Sequence, residues 1–330
     1  MSLEIRPPGV GCVKADERSS RLRSLRRRTA LSALGAVVVA TVLGFVLAGR
    51  RGQFTAALQS APISLLGLAV LLQIVALLAR TEAWNVCVRA AGGTVPRRLL
   101  FRAAGMGYLA SLVNGSVGVV ARIASLRRLA PQDAPGVPAL VAAEVPIITV
   151  EVALAAIFSF TLIAPLGVPW WVPVLAVGAM IGAVAALRRV SQCRRTGLWA
   201  GLAIMRNHGR GRMIAFALLA VCTQVARNWL MLHAIGVNVS VLDAMALLIA
   251  MFTVGQLPIG PSVGAATAVL VLGRHGVAAA AAAGVLLTVT SVIGSLCYAA
   301  WAMTDRIVTG RLNPSPDAPM RALAVTTSSA

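Results

Sequence analysis

Long runs of apolar residues recur along the chain and limit what it can fold into. Apolar residues make up 58% of the 330, and the mean hydropathy is +0.84. A soluble core of this size cannot bury so much apolar surface. Several runs reach about 20 residues with few or no charges, which is the length that a helix needs to cross a bilayer. The sequence therefore predicts an all-α polytopic membrane protein.

Six of the runs are predicted to be full transmembrane helices, and the chain is expected to sit in a bacterial inner membrane. The runs are residues 30–49, 62–78, 137–165, 170–189, 213–234 and 277–303. Most arginines then fall on one side, which the positive-inside rule assigns to the cytoplasm together with both termini. Arg50, Arg51 and Arg274 fall on the other side.

The tails are predicted to lie outside the membrane domain. Residues 1–29 form a basic disordered cytoplasmic tail, and residues 305–330, rich in Pro, Ala and Ser, form a second disordered tail. The transmembrane domain is residues 30–304, with halves at about 30–166 and 167–304. The run at 30–49 is too long for a signal peptide, and Arg50 and Arg51 follow it in place of a small-residue cleavage site.

Composition and motifs argue against several classes of function. The net charge of +20 is concentrated in short connections without interleaved aromatic residues, which favours membrane anchoring over nucleic acid binding. The five cysteines and three histidines are scattered, so no cofactor or metal is expected. No glycine-rich phosphate loop and no nucleophile–base pair is recognisable, so we do not expect an enzyme.

Two stretches break the apolar pattern in the same way. They are "NGSVGVVAR" at 114–122 and "GPSVGAAT" at 260–267. Non-helical backbone at membrane depth is tolerated only where protein or a water-filled cavity surrounds it. Each stretch is therefore predicted to be a re-entrant broken-helix hairpin, and the pair is predicted to shape one cavity for an anionic head group. The alternative is that both are helix crossings whose small residues merely pack closely.

The two halves resemble each other in order and spacing. "AAGGTV" at 90–95 is similar to "AIGVNV" at 234–239, and a broken stretch follows each. Arg80 with Trp84 precedes the first, and Arg227 with Trp229 precedes the second. With six spans and two hairpins, the halves enter the membrane from opposite sides. We therefore predict an inverted repeat, an architecture typical of transporters.

Charged residues inside the spans are the candidates for binding a substrate, because such groups usually face a cavity or a partner. Arg122 either contacts a lipid phosphate or anchors the inner interface. Arg227 either binds a ligand or pairs with Glu144 or Glu151, and these roles can coexist. Glu144 and Glu151 are seven residues apart, so one helix face carries both. Each either carries protons or pairs with an arginine.

The complete set of predicted head-group residues combines these charges with neighbours in both broken stretches. The set is Arg80, Trp84, Asn114, Ser116, Gly118, Arg122, Glu144, Glu151, Arg227, Asn228, Gln256, Pro261 and Gly264.

Four stretches together resemble a known family. They are "ARTEAWNVCVRAAGG", "NGSVGVVARIASLRRLAP", "AEVPIITVE" and "LPIGPSVGAATAVLVL". Over about residues 30–305 the chain resembles the flippase-like family typified by the transmembrane region of lysylphosphatidylglycerol synthase. The family's Arg and Trp match Arg80 and Trp84, and its Gly and Arg match Gly118 and Arg122.

The chain also departs from the family pattern. Val119 or Val120 stands at an acidic position, and Val145 replaces the Arg that usually follows a Glu such as Glu144. The Pro-Gly segment matches residues 258–264, but Ala266 or Thr267 stands where a further acidic residue is common. The soluble aminoacyl-transfer domain of the synthase branch is not recognisable, so no synthase activity is expected.

The resemblance implies an inner-membrane translocase of an anionic phospholipid or a lipid-linked glycan. Its partners are then the membrane lipid that it moves and, in some settings, a glycosyltransferase or lipid synthase. The alternative is an accessory protein of a cell-envelope glycosyltransferase or lipid synthase that does not itself transport. An intramembrane enzyme is a third hypothesis, which lacks recognisable catalytic groups.

Overall fold

A computed structural model describes residues 51–112, 115–193, 209–237, 239–255, 263–273 and 276–312, with a few single positions besides. Within these ranges the chain is helical between turns and contains no β-strand. The helices are α1 (Arg51–Gln59), α2 (Ile63–Ala90), α3 (Arg97–Ser111), α4 (Gly115–Leu129), α5 (Val137–Ala142), α6 (Val145–Phe158), α7 (Ile163–Leu166), α8 (Trp171–Cys193), α9 (Arg210–Ala234), α10 (Val241–Gly255), α11 (Val263–Leu272) and α12 (Val277–Leu312). A short 3₁₀ turn, Ser159–Leu162, follows α6.

Five helical segments are long and apolar enough to cross a membrane. They are Ile63–Ala90, Val137–Leu162, Trp171–Gln192, Arg210–Ala234 and Val277–Thr304. The prediction of an all-α membrane protein is confirmed at this level, and these segments correspond to five of the six predicted spans. The first predicted span, residues 30–49, falls almost wholly outside the described residues, so the sixth span stays a prediction.

The segment Val137–Leu162 is not one straight helix. Helix α5 ends at Ala142 and helix α6 begins at Val145, so Glu144 lies at the break between them. Pro146 follows in the first turn of α6, where its missing N–H is tolerated, and its ring prevents a continuous α-helix across the junction. The Glu144 side chain makes no capping hydrogen bond. Its carboxylate is therefore available to a partner on another helix.

Helices α3 and α4 form a tight antiparallel pair. Each has 15 residues, which gives a length of about 22 Å, less than the apolar thickness of a bilayer. A methyl group on Gly118 would lie 2.6 Å from Ser111 Cβ and 2.9 Å from Gly107 O. Glycine is thus required by the close approach of the two backbones. This contact agrees with the packing alternative for the first broken stretch, and its depth in the membrane stays a prediction.

The similar sequence segments at 90–95 and 234–239 fold into the same local structure. Helices α2 and α9 both end in a Schellman motif, with Gly92 and Gly236 at positive φ of 91° and 75°. The Gly92 N–H donates to Arg89 O, and the Gly236 N–H donates to His233 O. The next helices, α3 and α10, begin at residues 97 and 241 and both have 15 residues. The corresponding positions in the two segments are 144 residues apart: Gly92 corresponds to Gly236, and Arg97 corresponds to Val241.

The two helices that begin these matching segments run in opposite directions. Helix α2 packs along α9. Gln73, in the first half of α2, bonds to Arg227 in the last third of α9, while Val86 near the end of α2 contacts Gly209 just before α9. The contacts cross in reverse order, so α2 and α9 are antiparallel.

Replacing Gly92 or Gly236 with alanine is expected to destabilise the protein by about 1–2 kcal/mol in each case, because an L-residue is strained at positive φ. No atom lies within 4 Å of the added methyl group at either site, so the cost is conformational. Thermal unfolding in detergent measures it. Gly178→Ala in α8 is the control, since it also has open space and should not lower stability. Unchanged stability in both glycine variants would contradict the shared motif.

Three hydroxyl groups join α2, α3 and α12 in the interior. The Thr81 hydroxyl lies 3.1 Å from the Tyr108 hydroxyl and 3.0 Å from the Tyr298 hydroxyl. The two tyrosine rings pack edge to face at 5.3 Å between centroids. Near this group, Glu82 of α2 pairs with Arg97 at the start of α3. Helix α3 is therefore fixed to α2 at two levels.

Candidate functional site

A cavity of about 650 Å³ lies between α2, α6, α9 and α10. Its walls are mainly apolar, which is typical of sites that hold a small organic molecule. Three apolar lining residues, Leu218, Trp229 and Val241, are 39%, 37% and 48% exposed. The cavity is therefore not fully enclosed, and its accessible lining includes apolar side chains. Its polar lining residues include Gln73, Arg80, Glu151, Gln224, Arg227, Asn228 and Ser291.

Arg227 is the buried cation of this cavity. Its Nη1 donates to Gln73 Oε1 and, at 2.8 Å, to Ser291 Oγ. Its Nη2 lies 3.5 Å from Asn228 Oδ1, at the limit of a hydrogen bond. The Arg227 Nε and the Asn228 Nδ2 are both buried without a hydrogen-bond partner. These two donors belong to residues that line the cavity, and buried donors without partners are rare.

No carboxylate pairs with Arg227 among the residues whose side chains the structure describes. Glu144 pairs with Arg122, Glu151 pairs with Arg80, and Glu82 pairs with Arg97. The Asp133 side chain faces Thr94, and Asp243 caps α10 with Ser240. The predicted ion pair of Arg227 with Glu144 or Glu151 is therefore wrong. Both glutamates are nearer to other arginines, and Arg227 is solvated by amides and a hydroxyl instead.

Arg80 and Glu151 form an ion pair at one end of the same cavity. Arg80 Nη2 lies 3.0 Å from Glu151 Oε2, and the Arg80 side chain is 36% exposed. Gln73 and Arg80 are seven residues apart on α2, so they share a face at levels roughly 10 Å apart along the helix axis. The cavity therefore extends from the uncompensated Arg227 to a neutral, partly exposed ion pair.

A second buried cluster joins α2, α4 and the α5–α6 junction. The Arg122 guanidinium pairs with the Glu144 carboxylate and lies over the ring of Trp84, 4.5 Å from its centroid. All three side chains are buried. The Arg122 side chain is therefore enclosed and not at an exposed interface, contrary to the anchoring alternative. Its contact with a lipid phosphate stays a prediction.

The structure brings together only part of the predicted site. Arg80, Glu151, Arg227 and Asn228 line the cavity, whereas Trp84, Gly118, Arg122 and Glu144 belong to the separate cluster or to the α3–α4 contact. Asn114, Gln256 and Pro261 lie outside the described residues, as does the side chain of Ser116, and Gly264 lies in α11.

The two broken stretches do not jointly line this cavity in the described part of the chain. Residues 117–122 of the first stretch contribute none of its lining, because α4 packs on α3 and presents Arg122 to Glu144. Helix α10, which precedes the second stretch, does contribute, through Met251 and Phe252 among others. The second stretch lies partly outside the described residues, so one cavity between both stretches stays a prediction.

Sequence reasoning missed Gln73 and Ser291, the two neutral partners of Arg227. Gln73 stands within the apolar run "LLQIVALL", which is the same signal that identified Asn228 and Arg227 on α9. Ser291 gave no signal, because serine is common in packed transmembrane helices. In the described part of the chain, no three His, Cys, Asp or Glu side chains are grouped as a metal would require.

Comparison with known proteins adds no assignment, since no protein-family model matches the chain and no curated protein matches it.

Proposed function

We propose that the protein binds the anionic head group of a membrane lipid in this cavity and moves that lipid across the membrane. The observation that carries the proposal is the guanidinium of Arg227, which is buried beside a mainly apolar cavity and has no carboxylate partner among the side chains that the structure describes. The lipid is an anionic phospholipid or a lipid-linked glycan, as the resemblance to flippase-like proteins implies.

The physical argument begins with the cost of a buried charge. A charged side chain at membrane depth is costly and is usually kept where it lines a pathway or faces a partner. A phosphate suits a guanidinium because two oxygens can accept from two N–H groups. The apolar walls suit the acyl or prenyl chain of the same molecule. A small soluble anion would not require apolar walls such as those formed by Leu218, Trp229 and Val241.

Transport, rather than binding alone, is supported by the two matching segments. Their first helices, α2 and α9, are antiparallel and contribute the cavity's main polar residues. Transporters built from inverted repeats place the substrate between the two repeats and alternate access around it. We propose the same arrangement here, with six spans, two re-entrant hairpins and cytoplasmic termini in a bacterial inner membrane. The transport function has no enzymatic step.

Replacing Arg227 with glutamine is expected to reduce lipid transfer by tenfold or more, because a charge-assisted hydrogen bond is worth about 1.5–3 kcal/mol. The measurement is transfer of fluorescently labelled phosphatidylglycerol between leaflets of liposomes that contain the purified protein. Arg189→Gln, at an exposed arginine of α8, is the matched control and should transfer at the wild-type rate. Thermal unfolding in detergent verifies that both variants are folded.

Two outcomes would contradict the proposal. Equal transfer by wild type and Arg227→Gln would remove Arg227 from the mechanism. No transfer by the wild type of any labelled phospholipid or prenyl-phosphate lipid, with or without a proton gradient, would favour the accessory role instead.

A further inference from the structure

Helix α6 presents three positions at seven-residue intervals; the first two pair with an arginine, and the third lines the cavity that Arg227 also lines. Residues 144, 151 and 158 lie two helical turns apart, so they share one face. Glu144, at the N-terminus of α6, pairs with Arg122 of α4. Glu151 pairs with Arg80 of α2. Phe158, the last residue of α6, lines the cavity together with Arg227 of α9.

This series contains three guanidinium groups and two carboxylates. The third position, which lines the same cavity as Arg227, is occupied by an aromatic ring that provides no charge. The two existing pairs are internally neutral, so the series has one excess positive charge, and that charge lies in the cavity. Among the described side chains that line the cavity, a second negative charge would meet no unpaired cation, and it would lie in a medium of low dielectric constant.

We infer that the cavity selects a lipid whose head group has one negative charge, on a phosphodiester. This anion supplies the negative charge that a third carboxylate, at the position of Phe158, would otherwise supply. This inference rests on the proposed function and specifies its substrate class. Pyrophosphate-linked lipids and phosphomonoesters in their dianionic form are then disfavoured, and lipids without net charge are disfavoured because they leave Arg227 uncompensated.

The donors around Arg227 also suit a diester. Nη1 is occupied by Gln73 and Ser291, while Nε is unpartnered and Nη2 has only the long contact with Asn228. Nε and Nη2 form one edge of the guanidinium, with two roughly parallel N–H bonds. A phosphodiester has two non-bridging oxygens, which that edge can bind together. The Asn228 Nδ2 supplies a further unpartnered donor at the same site.

The first test compares two lipids that differ in charge at one pH and not at another. Native mass spectrometry of the full-length protein in detergent measures binding of dioleoylphosphatidylglycerol and dioleoylphosphatidic acid. A phosphomonoester loses its second proton at a pKa of about 6, whereas a diester has no second proton. At pH 8 we expect the diester to bind at least tenfold more tightly, and at pH 5 we expect the difference to shrink. Equal or tighter binding of the monoester at pH 8 overturns the inference.

The second test places the missing carboxylate in the protein. Phe158→Glu is expected to lower phosphatidylglycerol binding at least tenfold, because an internal anion then competes for Arg227. Phe158→Gln has a side chain of the same size without charge, and it should bind within about threefold of the wild type. If the glutamate and glutamine variants bind equally, the anion site is not beside Phe158 and the inference is wrong.

The two proposals fail in different ways. Binding of mono- and dianionic lipids with equal affinity, together with normal transfer between leaflets, rejects only the inference about charge. Absence of both binding and transfer for every lipid rejects the proposed function as well.

Discussion

Arg122→Leu is expected to destabilise the protein by about 3–5 kcal/mol, the range observed when one partner of a buried ion pair is removed. The side chains of Arg122 and Glu144 are each only 7% exposed. Loss of the guanidinium leaves the Glu144 carboxylate enclosed without a counter-ion, and it also removes the cation from the face of Trp84. Glu144→Leu should have an effect of similar size, because it leaves the Arg122 guanidinium enclosed without a counter-ion.

The double variant distinguishes a paired charge from two independent contributions. Arg122→Leu combined with Glu144→Leu is expected to recover much of the lost stability, since replacing both members of a buried pair with apolar groups is often close to neutral. Thermal unfolding in detergent measures all three variants, and Arg189→Leu on the surface of α8 is the control. If the stability lost by the double variant equals the sum of the losses in the two single variants, the pair does not act as a unit.

Gly118→Ala is expected to destabilise the α3–α4 pair by about 1–3 kcal/mol, as extra volume does in a closely packed interior. The added methyl group would lie 2.6 Å from Ser111 Cβ and 3.1 Å from Ser111 Cα, so a backbone must move. Gly115→Ala in the same helix is the matched control, because its methyl group meets no atom within 4 Å.

The same thermal unfolding assay compares the two glycine variants. A second readout is cross-linking between cysteines introduced on α3 and α4, which should decrease when the helices separate. Equal stability and equal cross-linking in the Gly115 and Gly118 variants would show that the contact is not close in solution.

The spans could be predicted from the sequence because the signal is local. A run of about 20 apolar residues satisfies its own backbone within one helix, whatever its neighbours are. The similarity of the segments around Gly92 and Gly236 was also visible in the sequence, but the predicted span 62–78 ends twelve residues before α2 does. The break at Glu144 is explained by Pro146, two residues later, and the same rule applies to any chain.

The pairing of charges could not be predicted in the same way. Glu144 and Glu151 are the two glutamates at and in α6, and three arginines, Arg80, Arg122 and Arg227, are candidates to pair with them. Spacing along the chain does not say which arginine has no carboxylate partner. That choice depends on how α4 and α2 dock against α6, which is a property of the tertiary packing. Sequence reasoning therefore left Glu144 and Glu151 open as partners of Arg227, whereas they pair with Arg122 and Arg80, and it missed Gln73 and Ser291 for the same reason.

The antiparallel arrangement of α2 and α9 bears on how the chain inserts into a membrane. In the proposed inverted repeat, two similar segments enter the bilayer in opposite directions, and arginine and lysine bias sets the orientation of each. Residues 97–128 contain six arginines, whereas residues 241–272 contain none. The arginine bias that fixes a single orientation is therefore present in one of the two matching segments and absent from the other.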